Sequence, residues 1–133
     1  MAIVWTDEMN IGIKSIDGQH MHLVDLINDF SRAVNEARGS DVYQDLAEDL
    51  ANYAKVHFES EEMLMRSHQY PGYLEQESEH AQFILLVIMM NTRPGDKDNC
   101  PEAIAEFLDK WFAEHVMVCD KKLGEYLREK GVS

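Results

Sequence analysis

From Ser40 to Tyr70 the chain contains neither Gly nor Pro, and Leu46, Leu50, Tyr53, His57, Glu61, Leu64 and Met65 recur along it at helical steps. That spacing gathers them on one face of a long α-helix, which neighbouring helices must cover. Two members of the stripe are ionisable. His57 and Glu61 stand four residues apart, so imidazole and carboxylate lie one turn apart on the same face. An i,i+4 His/Glu pair is also an ordinary surface contact, and its meaning depends on what else the chain can bring to that face.

Three more helices are predicted around this one. Residues 1–17 read as an arm without helical periodicity, with Ile3, Trp5, Ile11, Ile13 and Ile16 expected to lie against the helices. Ser15 or Asp17 is a plausible cap for a first helix over 18–38, which stops before Gly39, a natural C′ residue. Its stripe is His20, Leu23, Val24, Ile27, Phe30 and Val34. The long helix covers about 41–69, with Asp41 and Gln44 as a capping-box pair and Pro71-Gly72 as the stop. A third helix over 72–91 is expected to bury Leu74, His80, Phe83, Ile84 and Val87. Thr92 to Asn99 is a polar loop, after which Pro101 suits the first turn of a fourth helix over 100–130. Ile104, Phe107, Leu108, Trp111, His115, Cys119 and Leu123 form the last stripe. Similar helix lengths, short links and no strand signal predict an all-α single domain, an antiparallel up-down-up-down four-helix bundle with an N-terminal arm.

Charge and composition narrow the partners. The 133 residues carry a formal net charge of −13, which repels nucleic acid and anionic lipid. The longest apolar run, Phe83 to Met90, is far too short to span a membrane. Cys100 and Cys119 make no disulfide framework, and the N-terminus lacks the features of a signal peptide. A cytoplasmic setting is expected.

Each predicted helix carries an ionisable residue on its apolar stripe: His20, His57 with Glu61, His80, and His115 with Asp120. A single inward histidine is usually a hydrogen-bonded core residue. Four of them on four helices, with two carboxylates, would cost several kcal/mol to bury unless something binds them. Metal ions would do so. Imidazole with carboxylate and no inward cysteine ligand points to iron or manganese before zinc, and spacing does not choose among metals. His22 and His68 fall off the stripes and are expected outside.

The pieces Gly12-Ile13 through Ile16-Asp17-Gly18-Gln19-His20, His57-Phe58-Glu59-Ser60-Glu61-Glu62, Tyr70-Pro71 with His80, and Trp111-Phe112-Ala113-Glu114-His115 with Asp120 together resemble the bacterial hemerythrins. The resemblance runs from Trp5 to about Tyr126. It implies a four-helix bundle holding two iron ions joined by an oxo or hydroxo bridge. His20 and His57 would ligate the iron that keeps an open position for dioxygen, and His80 and His115 the second iron. Glu61 and Asp120 would bridge the two. His115 and Asp120 are five residues apart, which on an ideal helix turns them about 140° from one another. A π-bulge would bring Asp120 back.

At one position the chain departs from that pattern. The resemblance puts histidine four residues before His80, and Gln76 stands there. Glu77, three residues before His80, offers an anionic oxygen that suits a hard cation and is favoured over the Gln76 amide, with water as the third option. The function implied is reversible dioxygen binding by a non-haem di-iron protein acting as carrier, store or sensor, with dioxygen passing Trp111 and Phe112. Two alternatives stay open: a di-iron enzyme that reduces peroxide, dioxygen or nitric oxide, and an iron-handling or iron-sensing protein. The absence of a nucleophile, general base or substrate pocket apart from the metal site favours binding.

Overall fold

A computed structural model describes residues 3–92 and 100–133; beyond Thr92, the expected polar loop lies outside the described residues. The helices are α1 (Lys14–Asn35), α2 (Gly39–Ser67), α3 (Tyr73–Thr92), α4 (Pro101–Glu114) and α5 (Lys121–Glu129). A π-helical segment, His115–Asp120, joins α4 to α5 without a break, so these three pieces make one fourth rod. The described residues contain no strand. Connections of a few residues turn α1 back on α2 and α2 back on α3, giving the expected all-α four-helix bundle.

Both helix starts differ from expectation. The first helix begins at Lys14, not after Asp17, with Ile13 extended before it and no side-chain cap. Asp17 sits inside the first turn and reaches backwards: its carboxylate accepts from the N–H of Ile11 at 2.8 Å and of Gly12 at 3.2 Å. The arm is thus tied to the helix by the residue expected to start it. Asp41 and Gln44 form no capping box, because α2 already starts at Gly39, and Gln44 Nε2 donates to Asn91 Oδ1 at 3.2 Å.

Three helix ends close alike. After α1, Ala37 turns to φ 59° and its N–H meets Val34 O at 3.0 Å, while Arg38 N–H meets Ala33 O at 2.7 Å. Gln69 (φ 52°) after α2 and Gly131 (φ 84°) after α5 repeat the pattern, with Tyr70 N–H on Met65 O and Val132 N–H on Leu127 O. These paired bonds satisfy carbonyls that a helix end leaves open. Gly39, expected as the left-handed stop, opens α2 instead. A β-carbon there would lie 2.7 Å from Pro101 Cβ, so close approach to the start of α4 requires glycine.

On α3 the buried stripe is Gln76, His80, Phe83, Leu86, Val87 and Met90. Leu74 and Ile84, expected inside, are 78% and 44% exposed. From Phe83 to Met90 the sequence is apolar on every side, so periodicity cannot choose the face, and packing against α2 does.

The arm joins the bundle at both ends. Ile3 exchanges hydrogen bonds with Asn28 (2.7 and 2.8 Å), and Ile3 and Trp5 pack on the main apolar cluster. Ile11, Ile13 and Ile16 belong to a smaller cluster with Met65, Leu123 and Leu127. Gly124 lets the arm lie close, since a β-carbon there would collide with Ile11. Between the clusters runs a polar layer. Along α1, His20 falls between Ile16 of the small cluster and Leu23 of the large one; along α2, Glu61 falls between Phe58 and Met65; along the fourth rod, Asp120 falls between Val116 and Leu123.

Candidate metal centre

The polar layer is made of His20, His57, Glu61, Gln76, His80, His115 and Asp120, all buried. Each helix places its members through a short local pattern. On α2 the four-residue spacing puts His57 Nε2 2.9 Å from Glu61 Oε1. On the fourth rod the π segment absorbs the five-residue spacing, and His115 Nε2 comes to 3.0 Å from Asp120 Oδ2. The bulge expected at this point is present, and its wider turn is what brings the two side chains onto one face.

The four imidazoles converge through Nε2 on two oxygens. His57, His80 and His115 stand 2.9, 3.1 and 3.2 Å from Glu61 Oε1. His20 and His115 stand 2.7 and 3.0 Å from Asp120 Oδ2, and His57 is 3.7 Å from it. One donor atom from each of His20, His57, Glu61, His115 and Asp120 lies within 4.8 Å of every other. His80 joins this group through Glu61.

Burial alone would push the Glu61 carboxyl up, and Asp120 adds to that push. The imidazoles of His57 and His115 outweigh both and hold it down at about 2. Asp120 is driven the same way, far below the ordinary carboxylate range, with His115 the strongest counter to its burial. Conversely, burial would lower His115, yet Asp120 and Glu61 raise it to about 10. The layer therefore demands positive charge, which protons on imidazole or bound cations can supply.

The donor set fits cations better than it fits a closed hydrogen-bond network. Glu61 Oε2 and Gln76 Oε1 are buried with no hydrogen-bond partner, and His57 Nε2 lies 2.9 Å from Glu61 Oε1 without hydrogen bonding to it. Buried polar groups left in that condition are costly unless a ligand takes them up. Imidazole nitrogen and carboxylate oxygen together suit borderline and hard transition metals.

Gln76 and Glu77 exchange the parts expected of them. Gln76 is 1% exposed and its Nε2 donates to Asp120 Oδ1 at 2.8 Å, whereas Glu77 is exposed. The preference for Glu77 is therefore corrected: the inner stripe of α3 runs 76, 80, 83, and position 77 lies off it. A third carboxylate here would also have added charge beside Glu61 and Asp120 in a dry layer.

Trp111 and Phe112 are buried, as members of the large cluster. Trp111 stacks on His115 (4.2 Å, 22°) and donates its indole N–H to Glu79 O at 3.1 Å, which places it beside His115 rather than beside His57. The ring against His57 is Tyr53 (5.0 Å, 18°), and Phe58 lies flat on His80 (3.9 Å, 11°). Those wall roles were not foreseen, since Tyr53 and Phe58 read simply as stripe and motif residues. Gln19 was missed as well. Its Oε1 lies 2.7 Å from His57 Nδ1 on another helix, and no spacing rule within one helix reveals such a partner. His22 is exposed; His68 is half-buried, its Nδ1 3.0 Å from Leu64 O. Both cysteines are free, and burial with neighbouring Glu79 pushes the Cys119 thiol up to about 12. Among the described residues no helix is long and apolar enough to cross a membrane.

Residues 11–127 match the Hemerythrin HHE cation binding domain family. Over 124 residues the chain is 29% identical to a bacteriohemerythrin of Clostridium acetobutylicum, covering 90% of this chain and 96% of that one. It is 27% identical over 131 residues to a bacteriohemerythrin of Ralstonia nicotianae, covering 98% and 92%. A bacteriohemerythrin of Stenotrophomonas maltophilia is 25% identical over 126 residues, covering 95% and 82%.

Proposed function

Because the chain belongs to the hemerythrin family, we propose that it is a cytoplasmic non-haem di-iron protein that binds dioxygen reversibly, as carrier, store or sensor. The observation that carries this reading is the convergence of four buried imidazole Nε2 atoms on Glu61 Oε1 and Asp120 Oδ2. His20 and His57 would hold one iron, and His80 and His115 the other, with Glu61 and Asp120 between them. Gln76, buried on the same helix as His80 with its Oε1 unpartnered, is the candidate for a further oxygen donor on the His80/His115 side. Iron held by these residues would supply the reversible electron exchange that dioxygen binding needs.

The protein's own part is to hold and shelter the pair. Tyr53, Phe58 and Trp111 lie flat against His57, His80 and His115 and fix the ring planes. The apolar clusters on either side keep bulk water from the layer, which strengthens every charge interaction within it. Neither nucleic acid nor membrane is a partner in this reading; a small diatomic ligand is.

The test is the visible spectrum of the reduced, iron-loaded protein as air is admitted and then removed. A charge-transfer band that appears and disappears with dioxygen supports the proposal. Gln76, an amide where the resemblance implies imidazole, favours a second reading: reduction of peroxide, dioxygen or nitric oxide. Irreversible oxidation on the first exposure to air would select that reading.

A further inference from the structure

Of the four imidazoles in the layer, His57 alone has its outer nitrogen paired. The Nδ1 atoms of His20, His80 and His115 are buried without a partner, while His57 Nδ1 meets Gln19 Oε1 at 2.7 Å. The contact continues outward. Gln19 Nε2 donates to Ser60 Oγ at 3.1 Å, and Ser60 Oγ donates to Val56 O at 2.8 Å.

The direction of this chain follows from its last member. A backbone carbonyl can only accept, so the Ser60 hydroxyl spends its one proton on Val56 O and must accept from Gln19. Within Gln19 only the NH2 group can donate, which turns the carbonyl oxygen towards His57. That oxygen can only accept, so His57 Nδ1 carries a proton. In the neutral ring Nε2 is then a bare lone pair, and Nε2 is the atom that stands beside Glu61 and Asp120. Reversing the chain would require Ser60 to abandon Val56 O and would put a proton on the nitrogen that a cation needs.

We propose that Gln19 is a positioning residue that presents His57 to a bound cation as the Nδ1–H tautomer, anchored through Ser60 to the Val56 carbonyl. Tyr53 stacks on the same ring, so plane and tautomer are fixed by two different neighbours. The neutral amide also sets how strongly His57 donates: a carboxylate in its place would pull harder on the Nδ1 proton and enrich Nε2. The inference rests on the metal-centre reading and goes beyond it by assigning a task to a side chain that touches no cation.

Zinc serves as a diamagnetic probe for the tautomer and for affinity, and iron for the potential. In zinc-loaded protein with 15N-labelled histidine, long-range 1H–15N spectra should show His57 protonated at Nδ1. Gln19→Leu should weaken zinc binding by about 10–100-fold in chelator competition with helical content unchanged. Gln19→Glu should keep zinc binding and move the reduction potential of the iron-loaded protein to more negative values. Ser60→Ala removes the anchor but keeps both partners of the imidazole contact, so it should weaken zinc binding less than Gln19→Leu while speeding exchange of the Nδ1 proton. If wild type loads zinc but His57 is protonated at Nε2, or if both Gln19 variants match wild type in affinity and potential, the positioning role is wrong. Wild type that loads no metal at all would overturn the metal-centre reading itself, and this inference with it.

Discussion

On the α1–α2 side of the polar layer, His57 precedes Glu61 by four residues on an unbroken α-helix, and Gln19 holds its outer nitrogen. On the α3–α4 side, His115 reaches Asp120 only through a π segment, His80 and His115 have unpaired outer nitrogens, and the Gln76 amide donates to Asp120. The first side is made by regular helix geometry, and one of its two imidazoles, His57, is braced from behind while His20 Nδ1 stays unpaired. The second depends on a local departure from that geometry, while stacking rings support imidazoles on both sides. A buried polar layer in a bundle can thus combine one half set by spacing with another set by an inserted residue.

The two sides are least separable at the group they share. Glu61 lies within 3.2 Å of imidazoles from both sides, so Glu61→Ala should cost both ions together. In the proposed two-ion centre, metal analysis should fall from two ions per chain to none; two ions retained by the variant would mean the sides are independent.

Next in size is a pair of deletions. Removing exposed Val118 from the π segment leaves His115 and Asp120 four residues apart, the spacing that already works for His57 and Glu61. Metal content should survive. Removing exposed Ala51 from α2 instead rotates the N-terminal half of that helix by about 100° relative to the site, and should abolish stable folding. Equal outcomes for the two deletions, read by circular dichroism and metal analysis, would remove the distinction between the sides.

Stripping metal with a chelator should lower the melting temperature by on the order of 10 °C, since binding free energy adds to folding free energy. The stripped protein should also lose stability at both pH extremes. Glu61, held at about 2 against an ordinary 4.5, contributes fully above 4.5 and loses that contribution as pH falls towards 2. His115, raised to about 10 from 6.5, contributes fully below 6.5 and loses it as pH rises through 10. A flat profile between these limits and beyond would show that the layer is not charged in this way.

The smallest effects concern α3. Gln76→His should tighten the ion on the His80/His115 side by about tenfold, roughly 1.4 kcal/mol, and slow oxidation in air. Glu77→Gln, at an exposed position, should leave metal content unchanged and stability within about 0.5 kcal/mol. A loss of metal in the Glu77 variant would return the acid to the site.

Much of this was legible in the sequence because helical spacing acts locally. A stretch without Gly or Pro and apolar residues at three- and four-residue steps determine a long amphipathic helix, whatever it packs against. The same rule put His20, His57, Glu61, His80, His115 and Asp120 on inner faces, and a five-residue spacing was enough to call for a wider turn. What the tertiary structure decided were choices between positions that spacing leaves nearly equal. Gln76 and Glu77 both lie within a turn of His80, and only the packing of α3 against its neighbours buried one and exposed the other. Leu74 and Ile84 went outside for the same reason. The brace on His57 joins residues of α1 and α2, and a contact of that kind depends on how two helices are set against each other, which no period within either one encodes.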